Sequence, residues 1–135
     1  MISTRGRYAL RVLIDLAEHK DDGYIPMKEI AQRQELSLKY LERILPVLTK
    51  AGIITGLQGK TGGYRLTVAP EDCTIGDVLR LTEGDLAPVA CLECGAKPCP
   101  RKDQCRTYPM WAEFQQVISE FFDRKTLADI METGD

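Results

Sequence analysis

A three-residue connection, Gln34-Glu35-Leu36, separates two amphipathic helical segments and constrains this chain more than any other feature. The segment before it is expected to open at Pro26, since proline is tolerated at the first position of a helix. The segment after it starts at Ser37, a residue type that favours the N-cap. So short a connection is the spacing that a helix-turn-helix needs to present its second helix to a DNA major groove. Spacing alone leaves DNA binding open, because the same geometry also occurs in proteins that bind no nucleic acid.

The helix after this connection has one face that can pack and one that can read DNA. Its apolar residues recur at helical steps, at positions Leu38, Leu41, Ile44, Leu45 and Leu48. Its polar residues are Lys39, Tyr40, Glu42 and Arg43. Because proline removes a backbone hydrogen bond and crowds the preceding turn, we predict a kink at Pro46. Ala51-Gly52 is expected to end the helix, since glycine accepts the left-handed conformation.

A helix before this pair and a hairpin after it complete the pattern of a winged helix. Thr4 is expected to cap the first helix, and Asp21-Asp22-Gly23 to stop it. The segments Ile53-Ile54-Thr55 and Tyr64-Arg65-Leu66 predict two strands, joined by a glycine-rich turn that can come close to a phosphate backbone. The sequence therefore predicts a mainly α fold with a small β-hairpin, a winged helix-turn-helix.

The rest of the chain predicts two more helices. Thr74 is expected to cap one that Gly84 ends. From Pro109 onward, Trp111, Phe114, Ile118, Phe121 and Phe122 recur at helical steps. That helix either covers its own domain or pairs with a second copy, and a homodimer is favoured because helix-turn-helix proteins usually match palindromic half-sites as two-fold dimers. We expect a winged-helix domain with its following helix at 1–84, a cysteine-rich loop at 85–108, and a long C-terminal dimerisation helix with its tail at 109–135.

Four of the five cysteines lie in the loop before the last helix: Cys91, Cys94, Cys99 and Cys105. The loop also holds Gly95, Pro98 and Pro100, which exclude a regular element. Thiolates at short spacings suit an iron-sulfur cluster or zinc, because both take several sulfur donors. The spacings differ from the paired C-x2-C knuckles of a zinc ribbon, so the cluster is favoured and zinc is the alternative. The fifth cysteine, Cys73, is assigned to packing.

Composition limits the classes of function. Residues 1–70 carry 11 Lys and Arg against 7 Asp and Glu, whereas residues 71–135 carry 7 against 13, which fits a DNA-binding front and a sensing or oligomerising rear. There is no apolar run of about 18 residues and no signal-peptide stretch, so we expect a cytoplasmic protein without a membrane partner. Cytosolic thiols are kept reduced, which argues against a disulfide framework. The single histidine, His19, cannot assemble a hydrolytic triad, so we expect a non-enzyme.

Separated motifs in one order resemble a known family. They are Ser3-Thr4-Arg5-Gly6-Arg7-Tyr8-Ala9-Leu10, Leu38-Lys39-Tyr40-Leu41-Glu42, Gly62-Gly63-Tyr64-Arg65-Leu66, the cysteine loop and Thr126-Leu127-Ala128-Asp129-Ile130. Together they are similar to the bacterial IscR, NsrR and CymR regulators, also called the Rrf-two family, over nearly the whole chain. The resemblance implies a winged-helix homodimer that binds palindromic promoter sites and exchanges its long C-terminal helix between subunits.

The resemblance also implies the cofactor and its ligands. Some members hold an iron-sulfur cluster on three cysteines, which map onto Cys91, Cys99 and Cys105. Where cluster-binding relatives place a further ligand, this chain has Tyr8 or Tyr108, so Cys94 is the candidate fourth ligand. The cysteine-metabolism branch of the family lacks the three cysteines, which favours the cluster-bearing branch for this chain.

The same resemblance guides the expected DNA contacts. The base-reading glutamate maps onto Glu42, whose carboxylate could accept a hydrogen bond from cytosine. The wing arginine of some members is Gln58 here, so Lys60 is expected to supply the charge. The full set of expected DNA-binding residues is Thr4, Arg5, Arg7, Ser37, Lys39, Tyr40, Glu42, Arg43, Gln58, Lys60 and Thr61.

We therefore expect a DNA-binding transcriptional regulator, a repressor, that binds double-stranded promoter DNA under the control of a 2Fe-2S or 4Fe-4S cluster. Its expected role is in iron-sulfur assembly or in redox and sulfur homeostasis. One alternative is a cluster-free regulator of cysteine metabolism that responds to thiols or zinc. Another is a thiol-redox protein that cycles Cys91 and Cys94, although reactive pairs usually sit at a helix N-terminus rather than in a loop.

Overall fold

Six α-helices and a two-stranded antiparallel sheet make up the part of the chain that the computed structural model describes, residues 2–132. In chain order they are α1 Thr4–Glu18, α2 Met27–Gln34, α3 Leu38–Lys50, β1 Ile54–Leu57, β2 Gly63–Leu66, α4 Ile75–Glu83, α5 Tyr108–Arg124 and α6 Leu127–Met131. The prediction of a mainly α fold with a small hairpin is confirmed. No helix within residues 2–132 is long and apolar enough to cross a membrane.

The core forms around α1, which contacts α2, α3, α4, α6 and β2. One face of α1 is apolar and fully buried, and it meets the apolar stripes of α3 and α4. Burying one leucine or valine in such a core stabilises the fold by about 1.5–3 kcal/mol. The largest fully buried side chains include Leu13, Leu16, Leu41, Leu45, Leu48, Val78 and Leu79. The helix-turn-helix is therefore fixed to the rest of the chain through α1.

Most predicted helix ends are confirmed, and one is wrong. The helix α3 starts after Ser37, close to the predicted start, and the Ser37 hydroxyl caps it by accepting a hydrogen bond from the Tyr40 N–H at 3.0 Å. The predicted cap at Thr4 is wrong, because Thr4 is already helical and Ser3 holds the cap position. The helix α2 begins one residue after Pro26, whose backbone is extended. The helix α3 continues through Pro46 to Lys50, and the kink at Pro46 stays a prediction.

The hairpin is anchored to the segment before α2. Its register pairs Ile54 with Leu66 and Leu57 with Gly63. Ile25 and Tyr64 exchange two backbone hydrogen bonds of 2.8 Å, which ties β2 to the start of α2. Gly63 has a φ of 149°, and a Cβ there would overlap the Ile25 carbonyl, so only glycine allows this approach. The wing is thus held beside the helix-turn-helix.

The chain returns to its own core after α5. Leu127 at the start of α6 is fully buried, and its N–H donates to the Cys73 carbonyl at 2.9 Å. The Ile75 N–H in turn donates to the Lys125 carbonyl at 2.8 Å. Cys73 is itself buried, and burial raises the pKa of its thiol to about 11. These contacts support the assignment of Cys73 to packing.

Candidate DNA-binding face and cysteine loop

The expected DNA-binding residues lie on three elements: the start of α1, the start of α3 and the tip of the hairpin. All except Tyr40 are exposed: Thr4, Arg5, Arg7, Ser37, Lys39, Glu42, Arg43, Gln58, Lys60 and Thr61. The buried residues of α3 face the core, so its polar residues are presented outward. This arrangement leaves the polar side chains of the helix-turn-helix and of the wing available to a ligand.

Tyr40 is half-buried because it packs on α1. Its hydroxyl lies 3.0 Å from the Thr4 hydroxyl, and its ring meets the Tyr8 ring edge to face with centroids 5.3 Å apart. Such a ring pair contributes about 0.5–1.5 kcal/mol beyond the area it buries. Tyr40 therefore joins the start of α3, the predicted recognition helix, to the start of α1.

A cleft of about 330 Å³ lies between the starts of α1 and α3 and the end of α4. It is lined by Ser3, Thr4, Arg5, Tyr40, Arg43, Ile44, Thr82 and Glu83. Four of these are predicted DNA-binding residues, so the structure brings these four together. Sequence reasoning missed Glu83, which accepts hydrogen bonds from Ser3 in this cleft. No local sequence signal connects the two residues, because they are 80 positions apart.

A larger groove, of about 960 Å³, separates the hairpin from α2 and the end of α3. Lys60 and Gln58 line it from the hairpin side. Lys28 and Lys50 line the opposite side, and sequence reasoning missed both as binding candidates. Three lysines around one groove make it attractive to a polyanion such as a phosphate backbone. The sequence signal that could have pointed to these two lysines was the excess of basic residues in the first half of the chain.

A buried carboxylate fixes the geometry of the helix-turn-helix. Asp15 on α1 is almost fully buried and accepts hydrogen bonds from Arg33 at 2.9 and 2.7 Å and from Gln34 at 3.0 Å. Burial pushes the pKa of Asp15 up, but the hydrogen bonds from Arg33 and Gln34 outweigh it, and the pKa lies below its usual value. Arg11 also donates to the backbone carbonyl of Gln34. The end of α2 is thereby held on α1.

The loop between α4 and α5 is irregular, as predicted, with two short 3-10 turns at Ala90–Leu92 and Lys102–Gln104. Asp85 organises its start, because its carboxylate accepts the Ala87 N–H at 2.9 Å and the Cys94 N–H at 3.0 Å. Gln115 on α5 donates to the Leu92 carbonyl at 3.3 Å. The start of the loop is thus folded on Asp85, and its first turn is attached to α5.

Cys105 has the most distinctive environment among the loop cysteines. Its sulfur lies 3.3 Å from the Thr107 hydroxyl, just before α5 begins at Tyr108. The pKa of the Cys105 thiol is lowered by the Thr107 hydroxyl and by the backbone N–H groups of Thr107 and Tyr108. Cys91, Cys94 and Cys99 are exposed to solvent. All four thiols are accessible to metal ions or oxidants.

The donor chemistry of the loop fits a sulfur-ligated metal or cluster, since four accessible thiols lie on irregular backbone beside basic residues. The loop conformation does not yet bring them together. Within residues 2–132 no three His, Cys, Asp or Glu side chains are grouped so that they could hold a metal ion. Ligation by Cys91, Cys99 and Cys105, with Cys94 as a fourth, would therefore require the loop to contract.

The helix α5 carries a row of exposed apolar side chains. Met110, Phe114, Val117 and Phe121 recur at steps of four, three and four residues, and each is 42–57% exposed. At its end the row meets a largely apolar pocket of about 270 Å³ that Phe121, Phe122 and Leu10 help to line. A contiguous apolar surface of this kind is typical of an interface with another protein.

These features define a class of protein, a winged-helix DNA-binding regulator with a cysteine-rich loop. Comparison with known proteins agrees with this class. The model of the Rrf2 family, described as "Iron-dependent Transcriptional regulator", matches residues 2–133. The chain belongs to the Rrf2 family. The resemblance inferred from the sequence motifs is therefore confirmed.

Individual relatives point to more than one branch of the family. "Protein rrf2" from Nitratidesulfovibrio vulgaris is 43% identical over 131 residues, which are 96% of this chain and 86% of that protein. The structure of CymR, the global cysteine regulator of B. subtilis, is 36% identical with a TM-score of 0.80, and the match covers 100% of this chain and 98% of that one. The structure of T. potens IscR is 34% identical with a TM-score of 0.77 over 100% of this chain and 88% of that one. Such homologues are transcriptional regulators and not enzymes.

Proposed function

We propose that this chain is a repressor that binds promoter DNA under the control of an iron-sulfur cluster on its cysteine loop. Cys91, Cys99 and Cys105 supply the ligands, and Cys94 is the candidate for a fourth. The observation that carries this proposal is the place of the loop in the fold. It connects the end of α4, which lies against the DNA-binding face, to α5, whose exposed apolar row suits a dimer interface. A change in the loop therefore acts on both.

DNA binding rests on the exposed polar residues of α1, α3 and the hairpin. Arg5, Arg7, Lys39, Arg43 and Lys60 contact phosphates, which supply most of the affinity without sequence preference. Glu42 reads a base edge by accepting a hydrogen bond from cytosine in the major groove. Lys28 and Lys50 add positive charge along the groove beside the wing. Sequence preference then depends on α3, and salt sensitivity depends on the wing and α1.

A homodimer places two recognition helices on one promoter site. The apolar row on α5 buries against the same row of a second copy, and this self-complementary pairing gives two-fold symmetry. Half-sites are then expected to be inverted repeats about one helical turn of DNA, or a multiple of it, apart.

The chain's own residues explain how ligation reaches the DNA-binding face. Cys91, Cys99 and Cys105, with Cys94 as the candidate fourth, would hold the cluster, which would supply redox chemistry at the loop. Asp85, two residues after α4, accepts hydrogen bonds from the backbone of Ala87 and Cys94, and Thr107 contacts the Cys105 sulfur just before α5. Ligation of Cys91 together with Cys105 would order the loop between the end of α4 and the start of α5. Loss of ligation would release the loop and, through it, the separation of the two recognition helices.

Anaerobic purification followed by an absorption spectrum and counts of iron and acid-labile sulfide per chain tests the proposal. We expect visible absorbance bands with matched iron and sulfide, and their ratio identifies a 2Fe-2S or a 4Fe-4S cluster. Cys99→Ala should abolish the absorbance and change the affinity for promoter DNA. If Cys99→Ala loses the absorbance but keeps the DNA affinity of the wild type, the protein binds a cluster that does not control DNA binding.

The cluster-free regulator of cysteine metabolism is the second candidate. It is favoured by the similarity to CymR, at 36% identity and a TM-score of 0.80, and by the separated thiols of the loop. It predicts a colourless protein, with zinc or no metal after reconstitution, whose DNA affinity responds to thiol oxidation instead. The same purification distinguishes the two candidates.

A further inference from the structure

The last residue of α4 is bonded to the residue that caps α1. One carboxylate oxygen of Glu83 accepts a hydrogen bond from the Ser3 backbone N–H at 3.0 Å and another from the Ser3 hydroxyl at 2.7 Å. A carboxylate at a helix N-terminus satisfies a donor that the helix leaves unpaired, and the helix dipole favours its charge. The Ser3 side chain makes no capping hydrogen bond within α1. Glu83 on α4 therefore caps this end of the helix instead.

Gly6, in the first turn of α1, leaves room for this contact because it has no side chain. A Cβ at Gly6 would lie 2.5 Å from the Glu83 carboxylate oxygen and 3.0 Å from side-chain atoms of Leu79 and Thr82. An alanine at Gly6 would therefore displace the Glu83 carboxylate and crowd the Leu79 and Thr82 side chains. Gly6 thus provides the space that the Glu83 carboxylate occupies beside the first turn of α1.

The residues next to Ser3 belong to the DNA-binding face. Thr4 contacts the Tyr40 hydroxyl at 3.0 Å, which connects the first turn of α1 to the recognition helix. Arg5 is exposed, and it lines the same cleft as Arg43 and Glu83. A movement of Ser3 is therefore transmitted to a predicted phosphate contact on α1 and to the start of α3.

We propose that Glu83 is a positioning residue for DNA binding, which holds the first turn of α1 so that Arg5 and Tyr40 stand in register with the DNA. This inference rests on the DNA binding proposed above and adds a residue that does not touch DNA. Glu83 is half-buried, and the oxygen that accepts from Ser3 is directed at α1. Its negative charge would repel phosphates, so its contribution comes through Ser3 and not through contact with DNA.

The experiment compares Glu83→Ala with Glu83→Gln in the full-length protein. The probe is a 30-base-pair duplex that the wild-type protein itself enriches from a random library, with a scrambled duplex beside it. We expect Glu83→Ala to weaken specific binding about three- to tenfold and to lower the salt-dependence slope by about one unit, as for one lost phosphate contact. Glu83→Gln keeps an oxygen that accepts from Ser3, so it should bind nearly as the wild type does. Glu71→Ala serves as the matched control, because it removes a carboxylate that precedes the start of α4, whereas Glu83 is at its end.

A double-mutant cycle with Arg5→Ala separates positioning from general stability. If Glu83 acts through Arg5, then Glu83→Ala should have little further effect once Arg5 is gone. The inference would be overturned if Glu83→Ala lost the same DNA affinity in the wild-type and the Arg5→Ala proteins. It would also be overturned if Glu83→Ala bound DNA more tightly. Binding by Glu83→Ala that equals wild type would overturn it as well, while leaving the proposed DNA binding intact. If the wild type enriches no sequence at all, both proposals are wrong.

Discussion

The two most contrasted cysteines of this chain differ because of their surroundings. Cys73 is buried in the core beside Asp77, and its pKa rises to about 11. Cys105 lies in the loop beside the Thr107 hydroxyl and the first N–H groups of α5, and its pKa is lowered. Since the thiolate is the reactive form, the first is protected from alkylation and the second is activated. A ligand thiol with a lowered pKa also loses its proton more readily on metal binding.

We expect Cys105 in the metal-free protein to be alkylated by iodoacetamide at a lower pH than an ordinary thiol, and Cys73 only on unfolding. A lowered pKa means that the thiolate is already present below the usual range, so the reaction should slow only as the pH falls through that lowered value. Thr107→Val removes the hydroxyl at nearly constant shape and should shift the pH profile of Cys105 upward. Mass spectrometry of the labelled peptides at a series of pH values measures it. An unshifted profile in Thr107→Val would contradict this explanation.

Asp15 gives a stability prediction because it is buried and its pKa is lowered. Removing the charge with Asp15→Asn leaves Arg33 with only the longer contact to the Glu29 carboxylate, at 3.4 Å, and should reduce the free energy of unfolding at pH 7 by about 2–3 kcal/mol. A lowered pKa stabilises the fold above the unfolded value of about 4, and this stabilisation is lost as the pH falls through the folded value. In urea unfolding, the difference in free energy of unfolding between Asp15→Asn and the wild type should therefore become smaller as the pH is lowered. Asp22→Asn, in an exposed turn, should change stability by less than about 0.5 kcal/mol at either pH.

At the scale of single residues, the sequence predicted what depends on neighbours in the chain. Ser37 was expected to start α3 and Thr74 to cap α4, and both side chains accept the hydrogen bond of an N-cap. The wrong cap at Thr4 has a tertiary cause. Ser3 and Thr4 are adjacent and equally suited to capping, and the helix starts where Glu83 on α4 can bond Ser3.

At the scale of elements, the helices and strands followed from periodicity, glycine and proline, whereas their mutual contacts did not. The hairpin was predicted from two short β-prone segments and a glycine-rich turn. Its attachment to Ile25 and its groove with Lys28 and Lys50 depend on how the chain folds back. The loop was correctly expected to be irregular, but periodicity carries no information on whether its thiols converge.

The wing predicts a measurable effect on DNA affinity. Lys60 is exposed at the hairpin tip, which is joined to the helix-turn-helix through Ile25. If Lys60 meets a phosphate, Lys60→Ala should reduce the slope of log affinity against log salt by about one unit. Lys20→Ala removes an equal charge at the far end of α1 and should leave the slope unchanged. Fluorescence anisotropy at several salt concentrations measures both, and an unmoved slope for Lys60→Ala would place the wing away from DNA.

At the scale of the whole molecule, the fold has two regions connected by the cysteine loop. The helix-turn-helix, wing and α4 share one core around α1, and α6 returns to it. The helix α5 packs on α4 but buries only Ile118 fully, and its apolar row remains exposed. The ion pair between Arg80 and Asp123, at 2.6 Å, joins α4 to α5 near the end of α5. Nearer the start of α5, Gln115 donates a hydrogen bond to the Leu92 carbonyl of the loop, so under the proposed function loop order acts on that end of the helix.

The last prediction concerns pairing through α5. Val117 is 57% exposed, the most of the four apolar residues in the row, so a second copy would bury it in an apolar interface. Val117→Asp places a charge there and should weaken dimerisation by about 10- to 100-fold, equivalent to losing about 1.4–2.8 kcal/mol of association free energy. Gln116→Asp places the same charge one position away, beside Glu120 on the polar side of α5, and should leave the dimer intact. Sedimentation velocity over a range of protein concentrations measures the monomer-dimer equilibrium of each variant.

The same variant should also change DNA binding. Because two recognition helices must be joined to bind an inverted repeat tightly, Val117→Asp should lose affinity for a two-half-site duplex while keeping its affinity for a single half-site. A monomeric wild type, or a dimer that tolerates Val117→Asp and fails with Gln116→Asp, would assign the interface to another face of the helix.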